Sequence, residues 1–419
     1  MRKQFFLLTV TLLLTARIAS ASMILIPMDL KQEQHLKAYG IAYWVLEHQV
    51  TVDWLLNYRG GSFAFPYTKI FEDECVVRGV SYEVTPDAKY QSIVAEIENP
   101  EENEDVVKLE KAPKIAVYSP KNKLPWDDAV TMVLTYAEIP YDLIYDDEVL
   151  EGKLPLYDWL HLHHEDFTGQ YGKFYSQFGT QPWYKEDEQK QEDMAKKWGY
   201  GKVSQLKLAV AHKIRDYVAG GGFLFAMCSA TDSYDIALAA DGVDICGEVY
   251  DGDPMDPSAQ SKLNYSNCFA FENFKIEPNQ MVYEFSDIDA TNPRPQMNDD
   301  YFTLFDFSAK YDPVPTMLCQ DHTKTIKGFM GQTTDFREKY IKSDVLIMGE
   351  YKAYGMARYI HGNFGNGMWT FYGGHDPEDY QHMVYDPPTD LSLHPNSPGY
   401  RLILNNVLFP AAKKKHQKT

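Results

Sequence analysis

The feature that most constrains the fold of this chain is an unbroken apolar run over residues 223–227. Three glycines precede it, and a helical spacing of apolar residues over 202–219 precedes the glycines. A short apolar run bounded by breakers is typical of a strand buried on both faces, as in parallel sheets. Small polar residues over 229–232 can cap a helix, which we expect to begin near Tyr234.

Cys228 follows this strand directly, at the turn toward the next helix. Open α/β sheets bind their ligands at the carboxyl ends of the strands. The positive end of a helix dipole also favours the thiolate form of a cysteine. The position is therefore that of a nucleophile elbow, with cysteine in place of serine. The alternative is a buried cysteine that serves only as a small apolar side chain.

Alternating strand and helix patterns predict an α/β fold with a doubly wound parallel sheet. An acidic, breaker-rich stretch over 99–105 is the best candidate for a linker. We predict a signal peptide at 1–21, a small N-terminal α/β module at 22–110 and an α/β domain at 111–412. A β-rich insertion is expected within this domain at about 246–340, and a basic tail follows it at 413–419. Strands are predicted at 23–28, 52–56, 115–118, 142–145, 157–164 and 345–348, and helices at 35–47, 125–138, 185–197, 202–219 and 399–408.

The first 21 residues have the pattern of a secretory signal: a basic start, an apolar stretch and a small-residue site ending at Ala21. We expect cleavage after Ala21 and a periplasmic or otherwise exported protein. The apolar stretch is too short for a permanent membrane helix, so no integral membrane segment is predicted.

The charge of the chain excludes some classes of partner. Without the three basic residues of the signal, 37 basic residues face 60 acidic ones. Such a surface repels nucleic acid, which we exclude as a partner. We expect a small-molecule or glycan substrate, and the acidic surface is also compatible with a protein partner in the cell envelope.

Five cysteines are present, namely Cys75, Cys228, Cys246, Cys268 and Cys319. Export permits disulfides, and an odd number leaves at least one thiol unpaired within a monomer. If Cys228 is the free thiol, the other four allow three pairings, all of which stay open.

His375 stands after two glycines at the end of a predicted strand. A cysteine and a histidine at two strand ends, with a carboxylate behind the histidine, form a nucleophile, base and orienting acid. We expect Cys228 to attack a carbonyl group, His375 to act as base, and Asp376 or Glu378 to orient it. The backbone N–H groups of Ser229 and of the following helix start would stabilise the oxyanion.

The order of these motifs resembles the class I glutamine amidotransferase-like superfamily, and residues 364–376 resemble its trehalose-utilisation branch. The resemblance covers about 112–240 and 340–412. It implies the flavodoxin-like sheet and a nucleophilic Cys228 served by His375. Residues 37–40 and 57–61 also resemble an exported bacterial family labelled asparagine synthetase B. That chemistry is not supported by the residues, because the Ser-Gly-Gly loop for ATP is missing from the sequence.

A second group of polar residues lies over 161–166. On a strand, His161 and His163 share one face, and His164 and Asp166 the other. Imidazole and carboxylate side chains suit a divalent metal, with His161, His163 and Asp166 as candidate ligands. The alternative is that His163, His164 and Glu165 line the pocket through hydrogen bonds. We predict no cofactor, with a divalent metal as the alternative.

Three functions follow from these residues. The first is an exported hydrolase or amidase that uses Cys228. The second is a non-catalytic carbohydrate- or protein-binding module, favoured by Ala230 where amidotransferase elbows have glycine and by the stretched spacing from His375 to Glu378. The third is a metal-dependent hydrolase that uses the 161–166 group with His375.

Overall fold

The computed structural model describes residues 22–121, 125–290, 300–312, 323–381 and 383–412, and it shows a mixed α/β fold with two sheets. The predicted signal peptide, the basic tail and Cys319 lie outside these residues. The strands are β1 (Ser22–Ile26), β2 (Val52–Leu56), β3 (Ser62–Pro66), β4 (Glu83–Pro86), β5 (Asp105–Leu109), β6 (Ile115–Tyr118), β7 (Asp142–Ile144), β8 (Trp159–Leu162), β9 (Phe223–Met227), β10 (Tyr301–Leu304), β11 (Thr325–Lys327), β12 (Phe336–Arg337), β13 (Leu346–Tyr351), β14 (Met356–Phe364) and β15 (Gly367–Tyr372). The helices are α1 (His35–Glu47), α2 (Lys69–Arg78), α3 (Asp87–Ile97), α4 (Ala129–Tyr136), α5 (Asp146–Leu150), α6 (Tyr175–Phe178), α7 (Pro182–Lys197), α8 (Val203–Ala219), α9 (Ser229–Ala239), α10 (Glu248–Asp251), α11 (Ala259–Lys262) and α12 (Pro398–Leu408).

The first sheet contains the N-terminal strands in the order β4-β1-β3-β2-β5, with antiparallel neighbours throughout. Strands β1 and β2 flank α1 and run in the same direction, but β3 lies between them. The strand, helix and strand predicted over 23–56 therefore form a split βαβ unit. Gly60 and Gly61, at φ 83° and 92°, form the turn that sends the chain back into this gap.

The second sheet has the order β11-β10-β13-β14-β15-β9-β8-β6-β7, and β12 pairs with β14. Strands β15, β9, β8, β6 and β7 are parallel, and the other strands are antiparallel. Apolar residues of α4 and α12 cover one face of the parallel part, and those of α5, α8 and α9 cover the other. The apolar run at 223–227 is β9, buried between β15 and β8, as its sequence predicts.

The region predicted as a β-rich insertion differs from that expectation. Among its described residues, β10, β11 and β12 have two to four residues each and extend the edges of the second sheet. The helices α10 and α11 have four residues each. Side chains that bond to nearby backbone compete with longer strands here: Asp256, for example, accepts the N–H of Ser258 at 2.8 Å.

Two helix starts also differ from their predicted positions. The helix predicted from residue 125 begins at Ala129, because Asp128 caps it by accepting the N–H of Thr131 at 2.9 Å. Trp126 and Asp127 therefore stay in the loop after β6. The helix predicted near Tyr234 begins at Ser229, so the residues expected to cap it form its first turn.

The two sheets share one core, in which α1 packs against α12 and α4. Two buried polar contacts join the halves of the chain. The Tyr39 hydroxyl donates to Asn405 Oδ1 at 2.5 Å, and Arg401 Nη2 donates to the Gly60 carbonyl at 2.9 Å. Among the described helices, each is too short or too polar to cross a membrane.

Candidate active site at the carboxyl edge of the parallel strands

Cys228 forms the junction between β9 and α9. Its backbone has φ 52° and ψ −141°, a conformation that residues other than glycine rarely adopt. Strain of this kind is characteristic of a nucleophile elbow, in which a strand turns sharply into a helix and presents one side chain at the sheet edge. The N–H of Cys228 donates to the carbonyl of Gly374 at 3.1 Å, which joins this elbow to the end of β15.

Backbone N–H groups surround the sulfur of Cys228. Gln332 N–H lies 3.3 Å from Sγ, and the N–H groups of Thr333 and Ser229 also favour the thiolate. Burial opposes them, since Cys228 is only 2% exposed, and it raises the pKa of the thiol to about 11. This shift is opposite to the one expected from the helix dipole, so the thiol is protonated at neutral pH in this state.

Residues 329–335, here called the covering segment, bury the elbow. Gln332 Nε2 donates to the carbonyl of Gly172 at 2.6 Å. The carbonyl of Thr333 accepts the N–H of Gly374 at 2.8 Å. These bonds fasten the segment to the loop after β8 and to the end of β15, so substrate can reach Cys228 only when the segment moves.

A cavity of about 490 Å³ lies at the sheet edge beside α7. Its lining includes Lys121, Tyr145 and Asp187, and does not include Cys228 or His375. The cavity is therefore separate from the covered elbow.

His375 lies at the edge reached by β15, the strand next to β9. Its Nδ1 is 3.0 Å from Nε2 of His163, and its Nε2 is 3.3 Å from Oδ1 of Asp127. The carboxylate that orients His375 is therefore Asp127. The predicted orienting acids, Asp376 and Glu378, have other partners.

Asp376 and Glu378 shape the turn after His375. An oxygen of Asp376 accepts the N–H of Glu378 at 2.8 Å, which turns the chain away from the imidazole. The Glu378 carboxylate then accepts the hydroxyl of Tyr380 at 2.8 Å and pairs with His394 at 3.1 Å. The prediction that one of these acids orients His375 is corrected by these contacts.

His161 and His163 lie on the same face of β8 and its extension, as their spacing predicts. Nε2 of His161 is 3.4 Å from Nδ1 of His163. Nδ1 of His161 is 3.2 Å from the Phe225 carbonyl. Asp128 contacts both rings: its Oδ2 is 3.4 Å from Nε2 of His161, and its Oδ1 is 3.4 Å from Nδ1 of His163. Although burial opposes ionisation, His163 and His161 hold the pKa of Asp128 well below its usual value.

His164 and Glu165 continue this polar cluster. His164 Nε2 is 3.7 Å from Glu165 Oε1, and the His164 ring packs edge-on against Trp126. Glu165 is 7% exposed, and burial raises the pKa of its carboxyl group to about 8. Near pH 8, the Glu165 carboxyl group is therefore protonated in half of the molecules.

Asp166 is not a partner of His161 or His163. Its two oxygens accept backbone N–H groups of Thr168 at 2.6 Å, Gln170 at 2.7 Å and Gly172 at 3.0 Å. These bonds fix the loop after β8. Asp128 takes the position beside the two histidines that the sequence suggested for Asp166.

The helix start supplies fewer oxyanion donors than expected. Ser229 directs its N–H toward the Cys228 sulfur, and its buried Oγ lacks a hydrogen-bond partner among the described residues. The next N–H, of Ala230, donates to the carbonyl of His163 at 3.0 Å and is already used. Gln332 and Thr333, which sequence reasoning missed, supply the other N–H groups at the sulfur.

Asp127 and Asp128 were also missed by sequence reasoning. Two aspartates between a predicted strand and an apolar helical pattern are a helix-cap signal at the ligand-binding edge of an α/β sheet. That signal was sufficient to place them near Cys228. Gln332 has no comparable local signal, since only the folded covering segment brings it there.

The four described cysteines, Cys75, Cys228, Cys246 and Cys268, have free, buried thiols. The proposed pairings among Cys75, Cys246 and Cys268 are therefore not formed in this structure. Burial raises the pKa of each of these three thiols.

Comparison with known proteins adds little. No protein-family model and no curated protein matches the chain. Two cytoplasmic proteins from Salmonella typhimurium align over 72% of this chain and 100% of their own, with identities of 9% and 11% and TM-scores of 0.35 and 0.34. A β-galactosidase from Bacillus circulans sp. alkalophilus aligns over 62% of this chain and 28% of its own, at 13% identity and a TM-score of 0.25. Similarities this weak carry no inference about function.

Proposed function

We propose that the chain is an exported hydrolase or amidase of the class I glutamine amidotransferase-like type, with Cys228 as its nucleophile. The observation that carries this proposal is the strained backbone of Cys228 at the tip of a buried parallel strand. The strand order β7-β6-β8-β9-β15 corresponds to 2-1-3-4-5 in chain order, which is the order of flavodoxin-like sheets and supports the proposed fold type. Export is proposed from the pattern of residues 1–21.

The proposed reaction is acyl transfer to Cys228 followed by hydrolysis. Sγ attacks the carbonyl carbon of a small-molecule or glycan substrate, and its proton passes to His375. The N–H of Ser229 donates to the oxyanion. His375 then protonates the leaving amine or alcohol, and the C–N or C–O bond breaks to leave a thioester. Water, deprotonated by His375, attacks the thioester, releases the acid and restores the thiol.

Asp127 holds the His375 imidazole during these transfers. In the described state both ring nitrogens of His375 face other side chains, and the covering segment lies over the sulfur. The proposal therefore requires His375 to exchange one of these contacts for the sulfur when substrate displaces the segment.

A panel of small amides and esters, including glutamine, tests this function. We expect the wild-type protein to hydrolyse at least one of them, and Cys228→Ser and His375→Ala to reduce kcat at least 100-fold. His394→Ala is the matched control, because His394 also pairs with a carboxylate, that of Glu378, but lies in the loop before α12. Hydrolysis that survives in Cys228→Ser would refute the proposed nucleophile.

A further inference from the structure

The histidines at the sheet edge form a closely spaced cluster. Nε2 of His163 and Nδ1 of His375 face each other at 3.0 Å, and both rings are only 1% exposed. The ligand-capable atoms of His163, His164 and His375 all lie within 4.8 Å of one another. Three imidazoles from two strand ends thus converge on one point.

The distance between the two facing nitrogens fits a shared ion. Zinc binds imidazole nitrogen at about 2.0–2.1 Å, so two ligands of one ion are about 3.4 Å apart in tetrahedral and about 2.9 Å apart in octahedral geometry. The separation of 3.0 Å between His163 and His375 lies in this range. Binding would require only small movements of the rings.

The other nitrogen of each facing ring has a carboxylate beside it. Asp128 Oδ1 is 3.4 Å from Nδ1 of His163, and Asp127 Oδ1 is 3.3 Å from Nε2 of His375. Histidine ligands in proteins commonly donate their second ring N–H to a carboxylate, which fixes the tautomer and the direction of the lone pair. The two aspartates would therefore direct Nε2 of His163 and Nδ1 of His375 toward the same ion.

We infer that His163, His164 and His375 form a binding site for a divalent transition-metal ion of the zinc class, with Asp127 and Asp128 as outer-shell residues. Three imidazoles favour Zn²⁺ over Mg²⁺ or Ca²⁺, which prefer oxygen ligands. The inference does not depend on a nucleophilic Cys228. If Cys228 is the nucleophile, the ion would inhibit it, because a metal-bound His375 cannot accept the thiol proton.

Zinc titration of the chelator-treated, full-length protein against a chromophoric competitor tests the site. We expect one ion per chain, with affinity reduced at least 100-fold in His163→Ala and His375→Ala and about 10- to 100-fold in Asp127→Asn. His212→Ala is the control, since His212 pairs with Asp241 at 3.2 Å outside the cluster. We expect this variant to bind zinc as the wild type does.

Two further measurements separate this inference from the proposed function. Zinc should raise the melting temperature of the wild type and leave that of His163→Ala unchanged. Because each protein is compared with and without zinc, the shift reports binding even if the variant is less stable. Cys228→Ser should bind zinc normally while losing hydrolysis. Absence of stoichiometric binding by the wild type, or equal affinity in wild type, His163→Ala and Asp127→Asn, would overturn the metal site.

Discussion

Burial shifts the pKa of the His361 side chain. It lies in β14, where its Nδ1 is 3.0 Å from Thr370 Oγ1, and burial lowers its pKa to about 4. In the unfolded chain His361 binds a proton below about pH 6.5, whereas in the folded chain it stays neutral down to about pH 4. Neutral His361 therefore contributes its full stability above pH 6.5, and this contribution is lost as the pH falls toward 4.

This difference predicts a specific loss of stability in acid. The free energy of unfolding should fall by about 3 kcal/mol from pH 6.5 to pH 4 through His361 alone. Urea unfolding across that range, in wild type and His361→Gln, isolates the contribution. The variant should have the shallower pH dependence, whereas parallel curves for the two proteins would refute the assignment.

The sequence placed Cys228 and His375 at the ends of two strands, and the structure shows that these strands are neighbours; the side chains that contact His375 differ from the predicted ones. Both follow predicted strands, and the end of a strand is a local feature. The acid beside His375 depends on how the loop after β6 meets β15, which local patterns do not encode. The cap signal at Asp127 and Asp128 locates both acids at this edge, but the pairing of Asp127 with His375 and the position of Gln332 emerged only from the folded chain.

The hairpin between β14 and β15 is the element most open to a backbone test. Gly365 has φ +61°, and an added Cβ would lie 2.7 Å from Cα and carbonyl oxygen of Ala219. Gly355 has nearly the same φ, +62°, but open space around the added Cβ. The pair separates the cost of the backbone conformation from the cost of the contact.

We predict that Gly355→Ala costs about 1 kcal/mol of unfolding free energy, because a left-handed conformation is strained for alanine. Gly365→Ala should cost about 2 kcal/mol more, because the clash with α8 must be relieved by backbone movement. Chemical denaturation of both variants measures the difference. Equal costs would show that the hairpin does not pack closely on the end of α8.

Element positions were predictable where local signals agree. The bounds of α1 and β9 match their predictions, because polar residues flank the helical period of α1 and three glycines precede the apolar run of β9. The starts of α4 and α9 did not match. The first depends on the single cap Asp128, and the second on a positive φ at Cys228, which a sequence pattern for an L-residue does not predict.

At the scale of the whole molecule, the two sheets are tied by a shared core. Arg401 is fully buried and lies in α12, a helix that packs on the second sheet. Its guanidinium group donates to the carbonyl of Gly60, in the turn between β2 and β3 of the first sheet. We predict that Arg401→Met lowers stability by about 2–3 kcal/mol, since the Gly60 carbonyl is left without this donor.

Both sheets should respond to that substitution together. Hydrogen exchange of β2 and β9 at increasing denaturant measures each sheet separately. We expect the two strands to lose protection at the same concentration in wild type and variant. Earlier loss in β2 alone would show that residues 22–110 unfold independently, as the predicted N-terminal module would allow.

The general α/β class was predictable from the alternation of helices and strands, and the large second sheet follows from it. The antiparallel extension of that sheet was not. Strands β10 to β12 are too short to show periodicity. The pairing of β11 with β10, of β10 with β13 and of β12 with β14 depends on contacts between distant parts of the chain.

The rate of Cys228 alkylation by iodoacetamide, mapped by peptide mass spectrometry, tests the central claim most directly. Cys268, buried against Asp235, is the internal reference. The account predicts that Gln332→Ala, which frees the covering segment from Gly172, speeds alkylation of Cys228 at least 10-fold, and that adding His375→Ala slows it again. Gln260→Ala removes a similar amide contact, at 3.0 Å to Phe274, and should have no effect. A Cys228 that reacts no faster than Cys268 in both wild type and Gln332→Ala would contradict the proposed nucleophile.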